Sequence, residues 1–197
     1  VAQSNRTLGG ANGDPKVGPI VISEINFNPA TGHEYVELTN ISGDDIPLWD
    51  NSAGGNPNNT YRVNGIGYTF PTGVTLPAGA RLLIVNSPTP HDYGTPYGPF
   101  GSAVLDNAGE SVTLEWPGGP DQGVVPYITM DRITYAPGAP WPNADGNGLV
   151  LRRISLPDFG NGPANWTAVA PTHVASPPAG HAGPVVWLDF AFTGTEL

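Results

Sequence analysis

Residues 20–40 read IVISEINFNPATGHEYVELTN and contain the pattern that decides the fold. In the first part of this stretch, Val21, Ile25 and Phe27 fall on one side of an extended run, as a strand with one buried face requires. Residues 28–32 are Asn, Pro, Ala, Thr and Gly, which are the residue types that turns need. The stretch therefore predicts a strand that ends in a tight turn.

The alternation of apolar and polar residues resumes after this turn and continues along the chain. Val36 and Leu38 alternate with polar neighbours, and the short connection predicts a hairpin with the preceding strand. The run Arg81 to Val85 is apolar on both faces, which is typical of a central strand. No stretch has helical periodicity over more than a turn. Further strands are predicted at 61–70, 74–76, 110–116, 124–135 and 149–154, with turn residues between them. The chain is therefore predicted to be all-β, and a sandwich is favoured over a barrel, which the number of strands alone does not exclude.

Composition divides the chain into four predicted parts. Residues 1–18 are small and polar and are predicted to be a linker, and 19–169 hold the sandwich. A second linker rich in Pro, Ala, Gly and His is predicted at 170–184. Residues 185–197 begin with an apolar block, which is either an extra edge strand or the start of a downstream domain. The first is favoured, because an exposed apolar strand would invite aggregation.

The charge balance excludes several classes of partner. The chain has 17 acidic and 7 basic residues, for a formal net charge of −10, and Lys16 is its only lysine. Such a chain is not expected to neutralise the phosphates of nucleic acid or to bind an anionic membrane surface. It has no cysteine and no apolar stretch as long as a membrane span. The sequence therefore predicts no nucleic-acid binding, no membrane insertion and no disulfide.

Six short motifs occur in a fixed order along the chain. They are VISEI at 21–25, GHEYVELTN at 32–40, a Phe at 70 with LPAG at 76–79, LDNAGESVTL at 105–114, DRITY at 131–135, and WP with DGNGLVLRR at 141–153. Together they resemble the motifs of lamin tail domains, over a similarity that runs from about Ile20 to Trp166. The resemblance implies an immunoglobulin-like β-sandwich of about eight to nine strands. Each motif is a strand with the turn that sets its register, so the pattern specifies a fold and no reaction.

The resemblance also implies a setting for the domain. Lamin tail domains occur in nuclear lamins and in large exported bacterial proteins, in tandem or beside hydrolases. The predicted Gly- and Pro-rich linkers at both ends resemble the second setting, and the first residue, Val1, suggests a processed product or a piece of a larger protein. Basic surfaces credited with DNA contact in lamins have no counterpart here. An extracellular or cell-surface location is therefore expected.

The sequence does not contain a recognisable catalytic arrangement. Neither a nucleophile elbow nor an H-E-x-x-H motif occurs, and the four histidines are far apart along the chain. Glu34 and Glu37 would point to opposite faces of one strand, whereas paired catalytic carboxylates must face each other across a cleft. The chain is therefore predicted not to be an enzyme.

Calcium is the one ion whose binding is considered from the sequence. Residues 143–148 read NADGNG and superficially suggest a calcium-binding loop, but the twelfth position of an EF-hand would be Arg152 in place of glutamate. A turn that begins the next strand is the favoured interpretation. The alternative is a bound calcium ion held by Asn143, Asp145 and Asp106, and no other cofactor is expected.

An aromatic loop is the candidate binding site. Tyr93, Tyr97 and Phe100 lie in a stretch rich in Pro and Gly, where rigid loops could present ring faces to a sugar. The alternative interpretation is packing in the core, which is the expectation for Trp116 and Trp166 and also for Trp141.

These observations predict a non-catalytic interaction or spacer module of a larger secreted or cell-surface protein. Its partner would be a protein or a surface polymer that contacts the loops, and the module itself would be monomeric. The first alternative is a carbohydrate-binding accessory domain of an exported hydrolase. The second is a fragment of an enzyme whose catalytic part lies elsewhere.

Overall fold

A computed structural model describes residues 17–30, 32–87, 97–101, 104–119 and 124–171, together with the backbone of residues 187–188. These residues form twelve strands and one short 3₁₀ helix at Pro163–Asn165. The strands in chain order are β1 (Ile20–Asn26), β2 (Tyr35–Asn40), β3 (Ile46–Pro47), β4 (Arg62–Asn64), β5 (Tyr68–Thr69), β6 (Thr75–Leu76), β7 (Ala80–Val85), β8 (Ser111–Pro117), β9 (Tyr127–Thr134), β10 (Val150–Arg153), β11 (Trp166–Val169) and β12 (Trp187–Leu188). No helix in this part of the chain is long and apolar enough to cross a membrane.

The strands form two main antiparallel sheets and a small additional pair. The large sheet has the order β11-β10-β1-β2-β7-β12, the small sheet has the order β5-β4-β8-β9, and β3 pairs with β6. The apolar core contains side chains from both main sheets, as a sandwich requires. The prediction of an all-β, immunoglobulin-like sandwich is therefore confirmed. Four of the twelve strands have only two residues, which explains why about eight to nine were predicted.

A bulge in β1 corrects the predicted face of one side chain. The register between β1 and β2 shifts between Ile22 and Glu24, so one extra residue lies on β1 at this point. Before the bulge, Ile20 and Ile22 point into the core, and after it Ile25 and Phe27 do so. Val21 is buried but is not part of this core cluster. Its assignment to the same side as Ile25 and Phe27 was wrong.

The predicted hairpin and central strand are both present. β1 pairs with β2, and β2 pairs with β7, which β12 flanks on its other side. Leu82 and Ile84 of β7 belong to the core between the sheets. Leu83 and Val85 point to the opposite, outer face of the large sheet, where they are buried in a second apolar cluster with Tyr35 and Val150. Both faces of β7 are therefore buried, as its sequence predicts.

A side chain satisfies one backbone donor at the edge of the small sheet. β9 is the last strand of that sheet, and the backbone N–H of Thr134 donates to Oδ1 of Asn161 at 2.6 Å. The carboxamide thus satisfies a backbone donor that would otherwise be open at the edge of the sheet.

The predicted division of the chain remains a prediction. Most of the linkers at 1–18 and 170–184, and most of the segment 185–197, lie outside the described residues. Within that last segment, the backbone of Trp187 pairs with Arg81 and that of Leu188 with Ala80.

Candidate functional site

The predicted aromatic loop is only partly described, and its described rings pack inward. Phe100 is buried in the core between the sheets. The ring of Tyr97 packs edge-on against Phe70, with 5.8 Å between the ring centroids. The backbone of Tyr97 is bonded to β7 through an N–H donated to Leu83 O and a carbonyl that accepts from Val85 N, both at 2.9 Å. Tyr93 lies outside the described residues. The buried ring of Phe100 is not available to a sugar, so the expectation that it presents a ring face there is corrected.

The tryptophans do not all have the predicted packing. Trp141 and Trp166 are buried, with their ring centroids 6.2 Å apart, as expected. Trp116 was predicted to be buried but is 37% exposed, and its cross-strand partner Ile128 is 45% exposed. The pairing of β8 with β9 continues for three residue pairs past a bulge, so this end of the small sheet extends beyond the part that the core covers. Trp116 is therefore a partly exposed aromatic side chain that the sequence pattern assigned to the interior.

Asn143 and Asp145 lie in one hydrogen-bonded turn. Oδ1 of Asn143 accepts from the backbone N–H of Asp145 at 3.3 Å, and Oδ1 of Asp145 accepts from Nδ2 of Asn28 at 2.6 Å. The backbone N–H of Gly146 donates to Asn28 O at 3.1 Å. These contacts attach the turn to the residues that follow β1.

Asp106 belongs to a different turn, which begins β8. Its Oδ1 accepts from the backbone N–H of Ala108, and its own N–H donates to Oε1 of Glu110 at 2.9 Å. The Tyr135 hydroxyl donates to the backbone carbonyl of Asp106, also at 2.9 Å. Among the described residues, no group of three or more His, Asp or Glu side chains is arranged to hold a metal ion. Calcium binding by Asn143, Asp145 and Asp106 therefore stays a prediction.

A buried polar cluster, which sequence reasoning missed, lies on the large sheet. We call it the outer-face cluster; it consists of Ser23, Glu24, Tyr35, Glu37, Thr39, Arg81 and Arg152. Glu24 and Glu37 are cross-strand partners on β1 and β2, and they are 0% and 1% exposed. Strict alternation along β1 would place Glu24 on the face opposite Ser23. Because of the bulge, Ser23 and Glu24 instead lie on the same outer face. The sequence signal that could have revealed the cluster is a glutamate in the middle of each of two apolar strands.

Each carboxylate of the outer-face cluster has partners within the sheet. Oε1 of Glu24 accepts from the Tyr35 hydroxyl, and its Oε2 accepts from Nε of Arg152 at 2.6 Å. Oε1 of Glu37 accepts from the Ser23 hydroxyl, which in turn accepts from Thr39 Oγ1 at 2.7 Å. Nη1 of Arg81 lies 3.7 Å from Oε1 of Glu37. The cluster therefore joins β1, β2, β7 and β10.

Electrostatics make this cluster sensitive to pH. Burial raises the pKa of the Glu24 carboxyl, and the nearby carboxylate of Glu37 raises it further, against the opposing effects of Tyr35 and Arg152. Burial also raises the pKa of Glu34 and that of Glu110. The folded protein therefore binds protons more tightly at these groups than the unfolded chain does.

Because these pKa values are raised, the domain is predicted to be more stable in mild acid than at neutral pH. A raised carboxyl pKa stabilises the folded state fully below the unfolded value, which is 4.5 for glutamate, and this contribution is lost as pH rises through the folded pKa. We expect the thermal midpoint to be higher near pH 5 than at pH 7. The variant Glu24→Gln should make stability depend less on pH. It removes about 1.4 kcal/mol of the pH-dependent change in the free energy of unfolding for each unit by which the Glu24 pKa is raised. A midpoint that falls on acidification, or a Glu24→Gln profile identical to that of the parent, would contradict the assignment.

A second buried charge pair connects the two sheets. Oδ2 of Asp131, on β9, accepts from Nη1 of Arg153 at 2.6 Å and from the backbone N–H of Ile22 at 2.9 Å. Nη1 of Arg153 also contacts Ile22 O at 3.2 Å, and its Nη2 donates to Asp158 O. Both side chains are almost fully buried, at 0% exposure for Arg153 and 6% for Asp131. The pair therefore joins β1, β9 and β10 inside the sandwich.

Comparison with known proteins identifies the family. The lamin tail domain model matches residues 14–135, which include β1 to β9 and five of the six motifs. The motif at 141–153 lies beyond the match, although β10 and β11 continue the same large sheet. No curated protein and no solved structure gives a significant match. Because the model matches well over half of the 197 residues, the chain belongs to the lamin tail domain family.

Proposed function

We propose that the chain is a non-catalytic interaction or spacer module of a larger exported bacterial protein, located outside the cell or at its surface. The family match supports an immunoglobulin-like interaction domain. The observation that carries the proposal is that the buried carboxylates of the outer-face cluster and of the Asp131–Arg153 pair are bonded to other side chains of the same domain. Glu24 and Asp131 are each bonded to an arginine at 2.6 Å.

These buried carboxylates suit a structural role better than acid–base chemistry. Glu24 and Glu37 are almost completely inaccessible to a substrate, and hydroxyl and guanidinium groups hold their oxygens. Loops form part of the described surface that remains for a partner, and residues 51–54 are exposed. Loops on a rigid sandwich can bind a protein or a surface polymer through a few anchor side chains.

A replacement experiment in the full-length protein tests this role. We would compare the native protein with a version that lacks residues 17–171 and with one that carries an unrelated immunoglobulin-like sandwich of similar length. A spacer predicts that the replacement restores display of the flanking domains, whereas an interaction module predicts that display returns without attachment to the partner. If deletion changes neither display nor attachment, or if the isolated domain converts a substrate, the proposal fails.

A carbohydrate-binding role is the second candidate, and the partly exposed Trp116 favours it. An aromatic ring beside Ile128 offers an apolar surface on which a sugar ring could stack. We expect Trp116→Ala to weaken binding to a responsive polysaccharide by about tenfold or more in affinity electrophoresis, since burial of an aromatic side chain contributes about 1.5–3 kcal/mol. Phe159→Ala is the matched control, because Phe159 is also 37% exposed. Equal binding by both variants, or no retardation of the parent by any polysaccharide, would exclude this candidate.

A further inference from the structure

The β4–β5 hairpin contains an exposed asparagine next to a glycine whose conformation the fold fixes. Asn64 is the last residue of β4, and Gly65 follows it with a φ of 103°. A Cβ atom at position 65 would lie 2.8 Å from the backbone oxygen of Ser111, so a larger residue would force β4 away from β8. The close contact between this hairpin and β8 therefore requires the glycine of the Asn-Gly dipeptide.

The side chain of Asn64 is held against the next peptide nitrogen. The backbone N–H of Gly65 donates to Oδ1 of Asn64 at 3.0 Å. Oδ1 is bonded directly to Cγ, so this contact also keeps the Gly65 nitrogen close to the side-chain carbonyl carbon. Reacting atoms that are already neighbours need less ordering to reach the transition state, and Gly65 has no side chain to hinder the approach.

We propose that Asn64 is a site of spontaneous deamidation. The Gly65 nitrogen loses its proton to hydroxide and forms a bond to Cγ of Asn64, and the bond from Cγ to Nδ2 breaks, so that ammonia leaves with a proton from water. The product is a five-membered succinimide. Water then adds to one of its two carbonyl carbons and opens the ring, giving aspartate or isoaspartate. Water is the only co-reactant, and no group is oxidised or reduced.

Two other Asn-Gly pairs in the described residues provide internal comparisons. Oδ1 of Asn147 accepts from the backbone N–H of Leu149 at 3.0 Å, and its Nδ2 donates to Asn143 O at 3.1 Å. Oδ1 of Asn161 accepts from the N–H of Thr134 at 2.6 Å. Both side chains are thus bonded to residues other than the glycine that follows them. At Asn64 the side chain is therefore held against the nitrogen of the glycine that follows it, whereas at Asn147 and Asn161 it is held by other residues.

The reaction changes the hairpin both in charge and in backbone length. Aspartate or isoaspartate adds one negative charge to a chain whose formal net charge is −10. Isoaspartate also adds a methylene to the main chain at Asn64, which pairs with Thr113 of β8. The small sheet is therefore expected to lose pairing at this end as the protein ages.

Peptide mapping of aged protein tests the proposal. The full chain is kept at 37 °C in mildly alkaline buffer, and mass spectrometry follows the conversion of each Asn-Gly peptide, with isoaspartate quantified separately. We expect Asn64 to convert about tenfold faster than Asn147 and Asn161, which corresponds to about 1.4 kcal/mol in barrier height. Asn64→Ser should abolish isoaspartate formation in the peptide that contains residue 64 and leave the rates at Asn147 and Asn161 unchanged.

A denatured sample separates the effect of the fold from that of the dipeptide. In concentrated urea all three asparagines are followed by glycine in an open chain, so their rates are expected to converge. If Asn64 in the folded protein reacts no faster than Asn147 and Asn161, the proposal is overturned. The same holds if the difference between the sites persists unchanged in urea, because the fold would then have no part in it.

Discussion

Replacing Arg153 with methionine is expected to lower the free energy of unfolding by about 3–5 kcal/mol. The substitution removes the guanidinium group from a pair in which the partner carboxylate is 6% exposed. Asp131 would then be left as a buried charge with only the backbone N–H of Ile22 and its own neighbours to stabilise it. Chemical denaturation in urea measures the loss as a shift of the midpoint.

Two further variants show whether the buried charge is the cause. Arg132→Met removes a neighbouring arginine whose side chain is exposed, so it is expected to change stability by no more than about 0.5 kcal/mol. The double variant Asp131→Leu with Arg153→Met replaces both charges by apolar groups and should recover much of the loss. A loss below about 1 kcal/mol for Arg153→Met alone, or a double variant less stable than the single one, would show that the pair does not have this role.

A chain that ends at Tyr135, where the family match ends, is expected not to fold. It would lack β10, which pairs with β1 through Glu24 with Arg152 and Ile25 with Leu151. It would also lack Arg153, and with it the partner of Asp131, and the buried rings of Trp141 and Trp166. These losses together exceed the about 5–15 kcal/mol by which a domain is usually stable. The expected result is a thermal scan by circular dichroism without a cooperative transition.

A cleaved chain is the matched control for this truncation. A protease site inserted after Gly138, which is exposed, allows the same connection to be cut while β10 and β11 remain present. The cleaved protein should keep a cooperative transition, because both pieces still contribute to one core. A truncated chain that unfolds as cooperatively as the cleaved one would show that the closing strands are dispensable.

The sequence predicted the strands well because their signals are local. Alternation and turn residues located β1, β2, β7, β8 and β10 to within a few residues, since each depends on near neighbours. The bulge between Ile22 and Glu24 was not predictable in this way, because it is a property of the pairing with β2 and leaves no mark on β1 alone. That one extra residue reversed the expected face of Val21.

The polar clusters were harder to predict because their members are distant in sequence. Glu24 and Arg152 are 128 residues apart, and Asp131 and Arg153 come from strands of different sheets. Single glutamates and arginines in strands suggest exposed positions, whereas here they are buried or half-buried with partners that only the topology supplies. The prediction for Trp116 was wrong for a different reason. Its alternating neighbours Val112 and Leu114 lie in the core, but Trp116 follows the register shift between β8 and β9 and is partly exposed.

The contact between Asn161 and Thr134 has a consequence for how copies of such a domain can be combined. Its carboxamide oxygen takes the place that a carbonyl of an incoming strand would occupy beside β9. A second copy therefore cannot add its strand at that point and continue the hydrogen-bonded ladder. At this point of the β9 edge, the sheets of two neighbouring copies are therefore expected to stay separate.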